Sequence, residues 1–212
     1  MQYYNPEQEP LNYAMIHNNL GTAYWNLAQQ ETPQEWLQLA IDAYQIALRY
    51  RTLQAAPPAF AATQNNLGTA YWHLASHTSE NPEQRRNYLQ KAIYAYETTL
   101  MAVQQIAQTQ PLPLAFDPIA THNNLGLAHY QFATDAQIPL EPEDRSLHLK
   151  AALDQHLTAL QGWQERPELY QTVFNNVLQT IRTLYEHEGL AGQNFAFSKV
   201  PSHLLPEIMT RL

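Results

Sequence analysis

The tetrapeptide Asn-Asn-Leu-Gly occurs three times, at Asn18–Gly21, Asn65–Gly68 and Asn123–Gly126, and the first two copies extend to the identical octapeptide Asn-Asn-Leu-Gly-Thr-Ala-Tyr-Trp. Half of the six glycines occupy this one motif position. A fourth, eroded copy starts at Asn175-Asn176, with Val177-Leu178 in place of Leu-Gly. Repetition constrains architecture more than any local propensity, because a repeated unit buries its apolar face only by stacking on its neighbours. The expectation is one continuous domain over residues 1–212.

Fourteen prolines leave long proline-free windows at 11–32, 34–56, 59–81, 83–110, 119–138, 143–166 and 168–200. Proline is costly inside a helix, by roughly 3 kcal/mol, but suits the first helical position. The prolines therefore read as helix starts. Thr32-Pro33-Gln34-Glu35 has the form of a capping box, and Asn81-Pro82 and Asp117-Pro118 repeat the cap-then-proline order. Gly189 suits a helix exit. The spacing predicts an all-α fold of seven long helices plus a short C-terminal helix after Pro201 or Pro206. The Asn-Asn motif falls on the odd-numbered helices, so the unit is an antiparallel helix pair: repeat 1 at about 10–56, repeat 2 at about 57–110, repeat 3 at about 117–166, then a half repeat and cap over 167–212. Motif-to-motif spacings of 47, 58 and 52 residues place the extra length in connections and in the second helices.

Leu20-Gly21-x-x-Tyr24 and Leu67-Gly68-x-x-Tyr71 resemble the first helix of a tetratricopeptide repeat. The second-helix pattern of alanine followed four residues on by a ring is carried by Ala40/Tyr44/Ala47, Ala92/Tyr96 and Ala152/His156/Ala159. The resemblance covers roughly residues 10 to 188. The unit is longer than the usual one, and the tryptophan that opens the family pattern is replaced by His17, Gln64, His122 and Phe174. The resemblance implies a right-handed superhelical stack, an α-solenoid, whose first helices line a concave surface that holds an extended or helical peptide.

At about 100° per residue the motif helix separates into two arcs. Ile16, Leu20, Ala23, Tyr24, Leu27 and Ala28 lie on one, with Gly21 at its margin; this arc is expected to pack on the partner helix. The other carries Asn18, Thr22, Trp25 and Asn26, with equivalents Asn65, Thr69, Trp72 and His73, then Asn123, Leu127, Tyr130 and Gln131, then Asn175, Gln179, Arg182 and Thr183. Asparagine amides match the C=O and N–H of an extended peptide, and aromatics are frequent anchors of recognition. The expected peptide-binding set is Asn18, Thr22, Trp25, Asn26, Asn65, Thr69, Trp72, His73, Asn123, Tyr130, Gln131, Asn175 and Arg182. Two roles stand open for the asparagines, ligand binding and a ladder between repeats. Asn19, Asn66 and Asn124 are the expected ladder members, and Asn18, Asn65 and Asn123 the ligand-facing ones. The tryptophans have an equally plain alternative, packing between repeats.

A net charge of −8 and the lack of a Lys/Arg cluster argue against a nucleic-acid partner. There is no cysteine, hence no disulfide or thiolate chemistry. No run approaches the roughly 20 apolar residues of a membrane span, and the start has no secretory signal, so a cytoplasmic location is expected. His122/His129 and His148/His156 lack the i, i+4 spacing and acidic partner of a zinc helix, and no nucleophile elbow or phosphate loop occurs. The expectation is a non-enzyme with no cofactor and no metal, a scaffold for a neutral or basic protein segment. The alternative is a homo-oligomer formed through the groove or the C-terminal segment that includes Phe195, Phe197, Val200, Leu204, Leu205, Ile208 and Met209.

Overall fold

A computed structural model describes residues 5–109 and 112–212. Two expectations fall outside them: the end of repeat 2 at residue 110, and the reading of Met1–Tyr4 as a start without a secretory signal. The described residues form nine helices and no strand: α1 (Pro10–Ala28), α2 (Pro33–Leu48), α3 (Pro57–His77), α4 (Pro82–Thr109), α5 (Pro118–Thr134), α6 (Pro142–Gly162), α7 (Pro167–Glu188), α8 (Leu190–Lys199) and α9 (Leu205–Arg211). Each of the first seven begins on a proline, whose fixed φ and missing N–H cost nothing there. The chain divides into two compact units, residues 1–121 and 122–212, with the border inside α5. Helices adjacent in sequence pack on each other within them. No helix of the described residues is long and apolar enough to cross a membrane.

Two of the three expected caps form. The Asn81 side chain accepts from the Gln84 N–H at 3.0 Å, and Asp117 from the Ile119 N–H at 2.9 Å. The capping box at Thr32 does not: Thr32 sits in the left-handed region (φ 38°) and its side chain makes no cap hydrogen bond. With the backbone so turned, the hydroxyl is carried away from the orphan N–H groups that a capping residue in extended conformation would reach. The last proline-free window also differs from expectation. Gly189, at φ 61°, ends α7 as expected, but the residues after it form a further helix, α8, so α7 packs with a short second helix where a half repeat was expected.

The packing arc needs correction as well. Of the expected arc α1 fully buries only Ala28, together with Ala14, His17 and Gly21, and glycine lies at the centre of the pair interface. A Cβ on Gly21 would lie 2.6 Å from Tyr44 Cε1, and one on Gly68 2.9 Å from Tyr96 Cδ1; Gly126 faces His156 more tightly still. Each motif glycine therefore makes room for the ring of its own second helix. Alanines beside those rings, Ala40, Ala43 and Ala47 on α2 and Ala92 and Ala95 on α4, are buried with them. The additional turns of α4 have their own cover. Ala102 and Ile106 pack with Ala61, Leu53, Phe60, Val103, Leu114 and Phe116.

Candidate functional site

Three aromatic contacts recur pair by pair. Six residues after the first Asn, Tyr24 stacks on Trp36 (5.7 Å between ring centroids), Tyr71 on Tyr88 (6.2 Å), and His129 meets His148 (5.0 Å). Each second-helix partner lies eight residues before Tyr44, Tyr96 or His156. The residue after each motif glycine completes the pattern: Thr22 and Tyr44 hydroxyls lie 3.2 Å apart, and Tyr96 donates to Thr69 at 3.1 Å. In the third pair, where the ring is His156, the threonine is replaced by Leu127 and His156 Nδ1 lies 3.4 Å from the Thr180 hydroxyl. The third pair has thus exchanged its aromatic positions for imidazoles. His129 and His148 face each other through Nδ1 atoms 2.8 Å apart. Burial, with the nearby His148 and His156, pushes His129 down to about 3, and burial pushes His156 down to about 4. This cross-helix pair was missed because the histidines were paired along one helix; aligning second helices on Tyr44, Tyr96 and His156 reveals it. Among the described residues no group of three or more His, Asp or Glu is placed to hold a metal ion.

The asparagines divide differently from the expectation: Asn66 takes part in the contacts between motif helices as expected, but Asn18, Asn65 and Asn123 do so too. In the first unit the Asn18 side-chain oxygen accepts from the Thr63 hydroxyl (3.0 Å) and from Asn66 Nδ2 (3.5 Å), and Asn65 accepts from Thr121 (2.8 Å). In the second unit Asn123 accepts from Asn176 Nδ2 at 3.2 Å. The first Asn of a pair is therefore the acceptor that staples its helix to the next motif helix. The donors are the second Asn of that motif or a threonine two places ahead of it. Thr63 and Thr121 carry the sequence signal; the fourth copy has Val173 there and relies on Asn176 alone. Thr63 and Thr121 are fully buried, so Asn65→Ala strands a buried hydroxyl. It is expected to lower unfolding free energy by about 1–2 kcal/mol in urea titrations, whereas Asn19→Ala, at an exposed position, stays within about 0.5 kcal/mol.

The rest of the expected set falls into two groups. In the first unit, Trp25 meets His73 edge-on at 5.6 Å and His73 meets Trp72 at 5.2 Å, so the three rings form one run across α1 and α3. Burial first, then the neighbouring His77, lowers the pKa of His73. Beside this run a cleft of about 170 Å³ is lined by Thr22, Trp25, Tyr44, Asn66 and Thr69. Asn26 is exposed at the edge of α1. In the second unit, the Tyr130 hydroxyl lies 3.0 Å from that of Thr183, and Gln131 is half-buried. Asn175 and Arg182 are engaged by the chain's own C-terminal helix: Arg211 donates to Asn175 (3.4 Å), lies 4.8 Å over the Phe174 ring, and accepts from Arg182 at its carbonyl (2.6 Å). Ile208 of α9 is fully buried. The C-terminal helix thus reaches α7 through Arg211, which gives Asn175 the donor that Thr121 gives Asn65.

What the first-unit cleft can do follows from its lining. It offers three hydroxyls, one carboxamide and an indole face, with no ionisable carboxylate, amine or imidazole on its wall. Such a lining orients a neutral group through hydrogen bonds. No family model, no curated protein and no solved structure matches this chain, and the helix pairs and their internal symmetry are the basis for its functional reading.

Proposed function

We propose that this protein is a non-catalytic interaction scaffold of the tetratricopeptide type, which captures a segment of a partner protein along the Asn/aromatic arc of its motif helices. A right-handed sense of stacking is what that resemblance implies. The observation that carries the reading is the cleft between Trp25, Thr22, Tyr44, Asn66 and Thr69, beside the Trp25–His73–Trp72 ring run. Its size suits one neutral side chain, with the rings as a stacking surface for the flanking residues. Asn18, stapled to α3 through Thr63 and Asn66, holds the spacing of these anchors, and the contacts to ligand fall to Thr22, Trp25, Asn26, Thr69, Trp72 and His73. The net charge of −8 favours neutral or basic sequence around the anchor.

The test is selection of peptides from a random display library on the intact protein, followed by titration of the enriched peptides. Trp25→Ala and Trp72→Ala are expected to weaken binding about 10- to 100-fold, the range of an aromatic hot spot, while thermal melts confirm folding. Enriched peptides that bind both variants with wild-type affinity exclude the arc as the binding surface.

A further inference from the structure

The four copies of the motif helix share an apolar stripe at positions −2, +2, +5 and +9 from the first Asn. On α3 these are Thr63, Leu67, Ala70 and Leu74; on α7 they are Val173, Val177, Thr180 and Leu184, and all eight are buried. Each of these helices has a helix pair before it in its own unit, α1–α2 and α5–α6. On α1 the same positions are Ile16, Leu20, Ala23 and Leu27, with no helix before them among the described residues. Ile16 and Leu20 are half-buried, Ala23 is exposed, and Leu27 is 41% exposed. A stripe that is buried in the α3 and α7 copies is only partly covered in this one.

We propose that two copies of this chain pair through this partly uncovered face of α1 about a two-fold axis. Three observations select a second copy as the occupant. First, α1 carries no Lys, Arg, Asp or Glu in its nineteen residues, so two such faces meet without like-charge repulsion in a chain of net charge −8. Second, the i, i+4, i+7, i+11 spacing runs about 16 Å along the helix, a ridge that packs against its own antiparallel image. Third, the last motif helix, α7, is already engaged by α9, whose Arg211 lies over Phe174 and bonds to Asn175 and Arg182, so that helix is not free to receive α1. An isologous contact uses the same patch twice and closes at the dimer. One helix face per copy is smaller than a standard interface of about 800 Å² per partner, so dissociation falls on the order of micromolar.

Sedimentation velocity on the intact protein from about 1 to 200 μM, a span bracketing that constant, is expected to show a monomer of 24.3 kDa giving way to twice that mass. Ala23→Glu with Leu27→Glu, both at exposed positions, is expected to abolish the dimer and leave helical circular dichroism and the melt unchanged. The chain has no cysteine, so Ala23→Cys supplies a single thiol near the axis and is expected to give a disulfide-linked dimer on mild oxidation; Met101→Cys, on exposed α4 surface, is not. A monomer at the highest concentration overturns the proposal, as does a dimer that survives the double glutamate variant. Both readouts are independent of peptide capture by the aromatic arc.

Discussion

Gly68→Leu is expected to lower unfolding free energy by about 3 kcal/mol or more, at the upper end of overpacking costs. A first side-chain carbon at residue 68 would already lie 2.9 Å from two ring atoms of Tyr96. That ring has no room to retreat: Tyr96 is fully buried and its hydroxyl donates to Thr69 at 3.1 Å. The sign is diagnostic because helix propensity runs the other way. Glycine within a helix is about 1 kcal/mol less favourable than alanine, so even Gly68→Ala gains from the backbone and loses only at the ring. Urea titration of Gly68→Leu, Tyr96→Ala and the double variant isolates the contact. The double variant is expected to be more stable than the sum of the single losses allows. A Gly68→Leu protein with the wild-type midpoint contradicts the packing described here.

The protein is also expected to lose stability as pH falls from about 6.5 toward 4. His129 and His156 are held neutral in the native third pair, at about 3 and about 4, against 6.5 when unconstrained. Between those values the unfolded chain binds protons that the folded chain refuses, so unfolding free energy rises with pH. The contribution of these groups is complete above pH 6.5 and drains away on acidification, on the order of 1 kcal/mol per pH unit for each. The natural control is written into the first two pairs. His156→Tyr with Leu127→Thr rebuilds the Thr–Tyr contact of Thr22 with Tyr44 and of Thr69 with Tyr96, and is expected to flatten the profile by one histidine's share. Urea midpoints that stay constant from pH 7 to 4.5 rule out buried neutral imidazoles.

Helix existence and most helix starts were legible because proline states its constraint locally: the first seven helices open on Pro10, Pro33, Pro57, Pro82, Pro118, Pro142 and Pro167. Which face meets which neighbour was less so. A helical wheel weighted by hydrophobicity centres on Leu20 and Leu27, yet the tightest interface centres on Gly21, whose value lies in being small. Periodicity marks a stripe as apolar without telling whether its own partner helix or the preceding pair covers it, and α1 is where the two answers separate. The first Asn looked ligand-facing because its donor, Thr63 or Thr121, lies in the following repeat, at a position with no equivalent threonine in the first copy, which has Ile16. Thr32 misled for another reason. A capping sequence specifies donors and acceptors but not the sign of φ.

The staple between Asn18 and Thr63, and again between Asn65 and Thr121, has an outcome for how such a chain can change length. Acceptor and donor sit at matching places in successive cassettes, so duplicating residues 57–114 in frame presents every new carboxamide with a new hydroxyl. Deletion of a complete cassette rejoins the same two chemical halves. A crossover that shifts the frame by even one residue turns the threonine about 100° around its helix and orphans both groups. Growth by whole-number copies is thereby favoured over piecemeal insertion, except in the connections and in the trailing turns of second helices such as α4.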